Sequence, residues 1–256
     1  MKRLLMISFL LSVSLFVPGM HATISDQVSA ANASLAAGHP IEALETYKAL
    51  LASPEFASSG SAELWCNRGL AEEKNGDAAA ASLSFRRALL LDPGFAPARR
   101  QLATVLGILG LPSPSGWQEK LNEAVHPEFM IVGGAVAGWL GLLTLVVLLM
   151  VGPRRRLPIA LALILLVAGH SCSVLGTLVD PRRTAEKEAV VTAKNPTPMK
   201  ATPADNATSA GNLAPGTLIT ILSRNGAWWY VSPGPGLFGW IPSDIATTLL
   251  PSSKGG

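Results

Sequence analysis

The residues of this chain that could do chemistry are few and far apart. Four histidines (His21, His39, His126, His170) and two cysteines (Cys66, Cys172) are scattered over segments of very different character. General acid–base work needs titratable groups converging on one reacting atom. A metal site needs His, Cys, Asp or Glu ligands at short paired spacings. Neither pattern occurs, and the sequence holds no Gly-x-Ser-x-Gly elbow and no phosphate-cradling glycine loop. No catalytic residue, metal ligand or cofactor is assigned, and an enzyme is not expected. His170 is the one ionisable group well inside a long apolar run, beside Ser171, Cys172 and Ser173. An ionisable group in such a place suggests function. With no second His, Asp or Glu in either long run, it is expected instead to hydrogen-bond a serine or the backbone of a neighbouring helix. The two cysteines should occupy different phases, so no disulfide is expected between them.

What remains is binding chemistry, in two groups. Near the C-terminus, Trp228, Tyr230, Phe238 and Trp240 suit an aromatic ligand-binding shelf. Alternation along a strand sends Trp228 and Tyr230 one way and Trp229 and Val231 the other, so some rings form a small core and the others an exposed face. Earlier in the chain, Glu63, Cys66, Asn67, Leu70, Lys74, Arg100, Gln101 and Thr104 take outward positions on repeated helices. They would line a concave protein-binding groove. The plainer alternative is a spacer with those side chains solvated, and Leu70 and Cys66 would serve equally well as core.

The elements that must carry these groups follow from hydropathy. Of 256 residues, 49% are hydrophobic and 14% charged, and the mean hydropathy is +0.37, too apolar for an ordinary soluble domain. The excess lies in three runs, Leu4–Val17, Phe129–Val151 and Leu157–Val179. The formal charge of +3 owes much to Arg154-Arg155-Arg156 and Arg182-Arg183 at run edges. No basic face interleaved with aromatics accompanies them, so nucleic acid is not an expected partner.

Residues 1–22 have the parts of a secretory signal: Lys2 and Arg3, an apolar middle, and a Pro18-Gly19 break before Ala22. Met20 at the −3 position leaves an uncleaved anchor as the alternative. Residues 129–151 and 157–179 each exceed the ~20 residues needed to cross a bilayer core of about 30 Å. The connection at 152–156 forces them antiparallel, and its three arginines place it in the cytoplasm. Arg182 and Arg183 pull the other way, and the signal breaks the tie. Residues 23–126 and 186–251 then lie in the periplasm, on the outer side of the inner membrane, with 180–185 a linker and 252–256 a tail.

Within residues 23–126, Trp65, Gly69, Ala81, Phe85, Ala88 and Pro93 match the ~34-residue tetratricopeptide (TPR) pattern of paired helices. Trp65 is the knob of the first helix, Gly69 admits the second helix, Gly76-Asp77 turns the chain, and Asp92-Pro93 ends the pair. Gly38, Ala43, Tyr47 and Leu50 repeat Gly76, Ala81, Phe85 and Ala88 upstream. A third first-helix is expected over 96–109, and a capping helix over 116–125. Gly134-x-x-x-Gly138 in the first long run predicts close packing of the two apolar helices.

The C-terminal part reads as short strands between Gly/Pro turns. Gly216-Thr217, Asn225-Gly226-x-Trp228 and Gly239-Trp240-Ile241-Pro242-Ser243, with Glu188-Ala189-Val190-Val191 as opening strand and Met199–Pro203 as first loop, resemble a bacterial SH3 (SH3b) domain. The expected architecture is therefore a multi-domain membrane protein: an α-helical TPR solenoid, a two-helix transmembrane hairpin and a small all-β SH3-like barrel. That order, after a signal peptide, resembles the TPR component of the aerotolerance-operon (Bat-type) membrane proteins. The resemblance implies a non-enzymatic scaffold of an envelope complex, with von Willebrand A-type membrane proteins and, indirectly, a MoxR-type ATPase as partners. SH3b domains imply a second reading, a sensor or tether that binds peptidoglycan peptide.

Overall fold

The computed structural model describes residues 24–53, 61–113, 120–121, 125–151 and 156–250. The expected signal peptide, most of the 152–156 loop, most of the 116–125 helix and the 252–256 tail lie outside them.

Among the described residues, five helices make the N-terminal unit: α1 (Ile24–Ala36), α2 (Pro40–Ala52), α3 (Ala62–Lys74), α4 (Ala78–Leu91) and α5 (Ala96–Ile108). Their boundaries are written in side chains. Ser61 caps α3 by accepting from the Leu64 N–H at 3.0 Å, and Asp77 caps α4 by accepting from Ala80 at 3.0 Å. Proline sits in the first turn of α2 and α5, where its missing N–H costs nothing. Gly76, at φ +82°, makes the α3–α4 turn in a conformation that a Cβ would strain. Alanines at 43, 81 and 88 are fully buried. They keep α2 and α4 thin where neighbouring helices press on them. Phe85 fills the gap opposite Gly69, where an added Cβ would stand 2.6 Å from the ring. Two continuous cores result, one around Leu35, Tyr47, Leu50 and Leu64, the next around Cys66, Phe85, Leu102 and Val105.

Two long apolar helices follow, α6 (Pro127–Val151) and α7 (Arg156–Val179). They begin two residues and one residue ahead of the expected runs. Both are long and apolar enough to cross a membrane, and only 17% of the apolar window of each is buried inside the molecule, unlike a core helix. Glycines set their contact. A Cβ on Gly134 would lie 2.6 Å from the Gly169 carbonyl oxygen, and one on Gly141 would lie 2.5 Å from the Leu166 nitrogen. Backbone therefore meets backbone along the seam. The His170 ring lies against Gly138. Its Nδ1 pairs with the Leu166 carbonyl at 2.9 Å, so the imidazole is satisfied on its own helix and not across to the neighbouring one.

The expected linker at 180–185 is not a plain tether. Arg182–Ala185 form a helical turn, α8, with Ala185 fully buried. The C-terminal unit then folds as an open, antiparallel seven-stranded sheet of order β3-β2-β6-β5-β4-β1-β7. The strands are β1 (Glu188–Val191), β2 (Thr197–Lys200), β3 (Ser209–Leu213), β4 (Leu218–Asn225), β5 (Trp228–Gly234), β6 (Leu237–Pro242) and β7 (Ala246–Thr248). The residues expected as a first loop, Met199–Pro203, open with strand: Met199 and Lys200 end β2, paired with β3, and Met199 is fully buried. An apolar side chain that faces the core pulls its segment into the sheet, and Pro198 is tolerated there as an exposed residue. The sheet curls around Val191, Met199, Leu213, Ile219, Val231 and Ile241.

The two folded units touch. Leu83 and Leu90 of α4 share a buried cluster with Ala185, Val190 and Leu249. Gly216 makes a tight turn at φ +77°, and a Cβ there would collide with Leu109. The edge strand β7 and the turn before β4 thus sit on the helical unit, which shields that edge from pairing elsewhere.

Candidate binding surfaces

The expected groove residues divide into three sets. Glu63 is exposed on α3. Asn67, one turn on, donates from Nδ2 to Oδ1 of Asn32 on α1 at 3.0 Å, and the same oxygen accepts from the Tyr47 hydroxyl at 2.6 Å. Lys74 donates to the Leu35 carbonyl at 3.2 Å. Asn67 and Lys74 therefore hold α1 against α3 as well as facing outward. Leu70 is half-buried between the two cores, and Cys66 is core outright. Burial pushes the Cys66 thiol up to about 11.

On α5, a shift of one repeat (~34 residues) puts Gln101 and Thr104 where Asn67 and Leu70 stand on α3. Gln101 is half-buried and Thr104 exposed, and the Thr104 hydroxyl donates to the Arg100 carbonyl. Arg100 does not join them. The same shift places it at the position of Cys66, the side that a following helix pair would cover. It lines instead a cleft of about 370 Å³ with Leu89, Leu90, Ala103 and Leu249. The outward face shared by α1, α3 and α5 thus carries Asn32, Glu63, Asn67, Lys74, Gln101 and Thr104. Asn32 and the exposed Ile108, the counterpart of Lys74, were not foreseen. The upstream first helix carries no aromatic knob or glycine to mark its register.

All four predicted C-terminal aromatics lie on one face of the sheet. Cross-strand pairing sets Tyr230 opposite Trp240 and Trp228 opposite Pro242, and Phe238 lies two residues before Trp240. Tyr230 is centred 5.1 Å from Trp240 and 6.4 Å from Phe238, nearly parallel to the latter. Phe238 is 46% exposed, and the other three are half-buried. The opposite face carries Val231 and Ile241 into the core with Trp229 packed beside them. Of these aromatics, only Trp229 serves the core. Arg224 covers its ring at 5.4 Å.

The junction between the units rests on two arginines: Arg87, which the sequence did not mark, and Arg182, which it offered only as a topology signal. Arg87 donates from Nε to the Leu249 carbonyl and from a terminal nitrogen to the Thr248 carbonyl, each at 2.9 Å. Burial, aided by the nearby Arg68 charge and opposed by Glu72, lowers its pKa to about 10. Glu72 is itself buried, held by Arg68 at 2.9 Å and by the Ser84 hydroxyl. Arg182 donates to the carbonyls of Leu90 and Leu91 at the end of α4 and pairs with Glu128 in the first turn of α6. A cation there satisfies orphan carbonyls at the negative end of the helix dipole. His126 approaches Asp92 at 3.6 Å and meets Phe129 edge-on, beside a cleft of about 320 Å³. Among the described residues, no cluster of three or more His, Cys, Asp or Glu is placed to hold a metal.

These surfaces offer amides, hydroxyls, rings and a few charges, all suited to holding a ligand. Compared with protein-family models, curated proteins and solved structures, the chain matches none.

Proposed function

We propose that this protein is a non-enzymatic scaffold of a bacterial envelope complex, in which a TPR-like helical groove holds a partner protein beside the membrane. The apolar hairpin would anchor it in the inner membrane with two spans, both folded units on the periplasmic side. The SH3-like unit would act as a buttress. The observation that carries this reading is the side on which the β unit docks. It packs on α4, the second helix of its pair, through Leu83, Arg87 and Leu90. The outward faces of α1, α3 and α5 stay open, with Asn32, Glu63, Lys74, Thr104 and Ile108 exposed. Side-chain amides across such a groove suit the backbone of an extended peptide, which presents one donor and one acceptor per residue. The resemblance to Bat-type proteins names the partners to look for: von Willebrand A-type membrane proteins, and through them a MoxR-type ATPase.

The test is co-purification from mild detergent. Thr104→Arg, which fills the groove, should remove the partner, while Arg100→Ala, outside the groove, should not. Equal recovery with both variants would end the groove reading.

One observation favours a second reading, a wall-binding tether acting through the SH3-like unit: the four aromatics share one face of β5 and β6, with Phe238 exposed. Retention of the full-length protein on purified peptidoglycan, lost in Trp240→Ala, would support it. No retention would remove it.

A further inference from the structure

The aromatic face of β5 and β6 is built for a particular kind of ligand. We propose that it binds a neutral saccharide chain, with sugar rings stacked on Tyr230, Trp240 and Phe238 and sugar hydroxyls met by Ser223 and Asn225. The proposal rests on the tether reading and specifies its ligand as glycan rather than peptide.

Charge carries the choice. Strand pairing places Ser223 opposite Tyr230, Asn225 opposite Trp228 and Lys200 opposite Trp240. Among these described positions only Lys200 is charged, and its ammonium donates to the Ala207 carbonyl at 3.3 Å. No carboxylate occupies any of them. A peptide with free amino and carboxylate groups would give up hydration here with only the Lys200 ammonium, already turned to the Ala207 carbonyl, to offer an opposite charge in return. A saccharide gives up far less. It carries no charge, and its ring has one face of weakly positive C–H groups that suits the negative face of an aromatic ring. Its hydroxyls donate and accept, as do the Ser223 hydroxyl and the Asn225 amide.

The face is also set before any ligand arrives. Tyr230 is flanked by Trp240 and Phe238. The Ser232 hydroxyl lies 2.8 Å from the Gly234 carbonyl and 3.0 Å from that of Leu237, bracing the turn that presents Phe238. Rings already held in place lose little freedom on binding. The face stays open: the helical unit is met at β1, β7 and the start of β4, where Leu218 packs on the shared cluster, while Ser223, Asn225 and Phe238 are exposed.

The experiment uses the full-length protein in detergent, titrated with tetra-N-acetylchitotetraose, which is uncharged, and, separately, with stem peptide released from peptidoglycan, both followed by tryptophan fluorescence. Saturable binding of the saccharide is expected, weakened about tenfold or more by Tyr230→Ala or Trp240→Ala, each costing one stacked ring. Ser223→Glu leaves every ring in place and sets a carboxylate at the exposed rim, so it should weaken binding even if the ring variants fail to fold. Absence of saccharide binding, or binding indifferent to Ser223→Glu, overturns the proposal. Binding of the stem peptide alone also overturns it but leaves a wall-binding face. Binding of neither ligand removes the tether reading as well.

Discussion

The guanidinium carbon of Arg87 lies 4.7 Å from the centre of the Trp65 indole, with that of Arg68 5.2 Å from the same ring. The tryptophan that marks the helix pair in the sequence is therefore a platform for two cations, and one of them reaches across to the C-terminal sheet. Arg87→Ala would remove two charge-assisted hydrogen bonds and leave the Thr248 and Leu249 carbonyls short of donors. We expect a loss of about 2–4 kcal/mol in urea unfolding of the detergent-solubilised protein. Arg87→Lys should fall between, because an ammonium lacks the planar fork. An unchanged midpoint for the alanine variant would show that the two units are not joined there.

Arg182 makes two kinds of bond whose weights differ. Its pair with Glu128 is exposed on both sides, and such pairs contribute between nothing and about 1 kcal/mol. Its bonds to the Leu90 and Leu91 carbonyls close a helix end. Arg182→Ala is thus expected to cost about 1–2 kcal/mol and Glu128→Gln less than about 0.5 kcal/mol. Hydrogen exchange at the α8 amides should accelerate in the first variant only. The reverse ranking would make the ion pair the dominant link.

The hairpin seam tolerates no side chain at Gly134, because the Gly169 carbonyl occupies the space. Gly134→Val should force α6 and α7 apart. Cysteines introduced at Gly133 and Val174 report only on local geometry, so heat-induced aggregation in detergent is the better measure, with a clear fall in the transition temperature expected. Gly133→Val, where an added Cβ meets nothing within 4 Å, is the matched control and should behave as wild type.

Cys66 supplies a pH test. Burial holds its thiol near 11, against an ordinary value of 9.0. The folded state keeps the proton that the unfolded state releases first, so stability should decline as pH rises from about 9 to 11 and be unaffected by this group below that window. Cys66→Ser should flatten the decline. In a Cys172→Ser background, iodoacetamide at pH 8 should label Cys66 only after denaturation. Rapid labelling of the native protein would show that the second core is open.

Much of the architecture is legible in the sequence. Gly76, Asp77, Phe85 and Pro93 mark one helix pair because a turn, a cap, a filled gap and a stop each demand a residue type. Glu188–Val191 was recognisable as a strand for similar local reasons, and alternation along β5 correctly paired Trp228 with Tyr230. Other features were hidden. Strand β2 was hidden, since its core contact is made by Met199 against residues far along the chain. Arg100 looked like a groove residue from its outward phase. Which outward side faces a groove and which the open end of a stack depends on the neighbouring helices.

Periodicity, capping and turn chemistry act over a few residues, so the type of most elements and the long apolar helices could be read from the letters. The docking of sheet on helices could not. It depends on Arg87 meeting carbonyls more than 160 positions away, and on Arg182 reaching the end of α4. Backbone carbonyls look alike in every residue, so nothing in the letters at Thr248 or Leu249 announces which cation will find them. Only the folded chain brings those partners within reach.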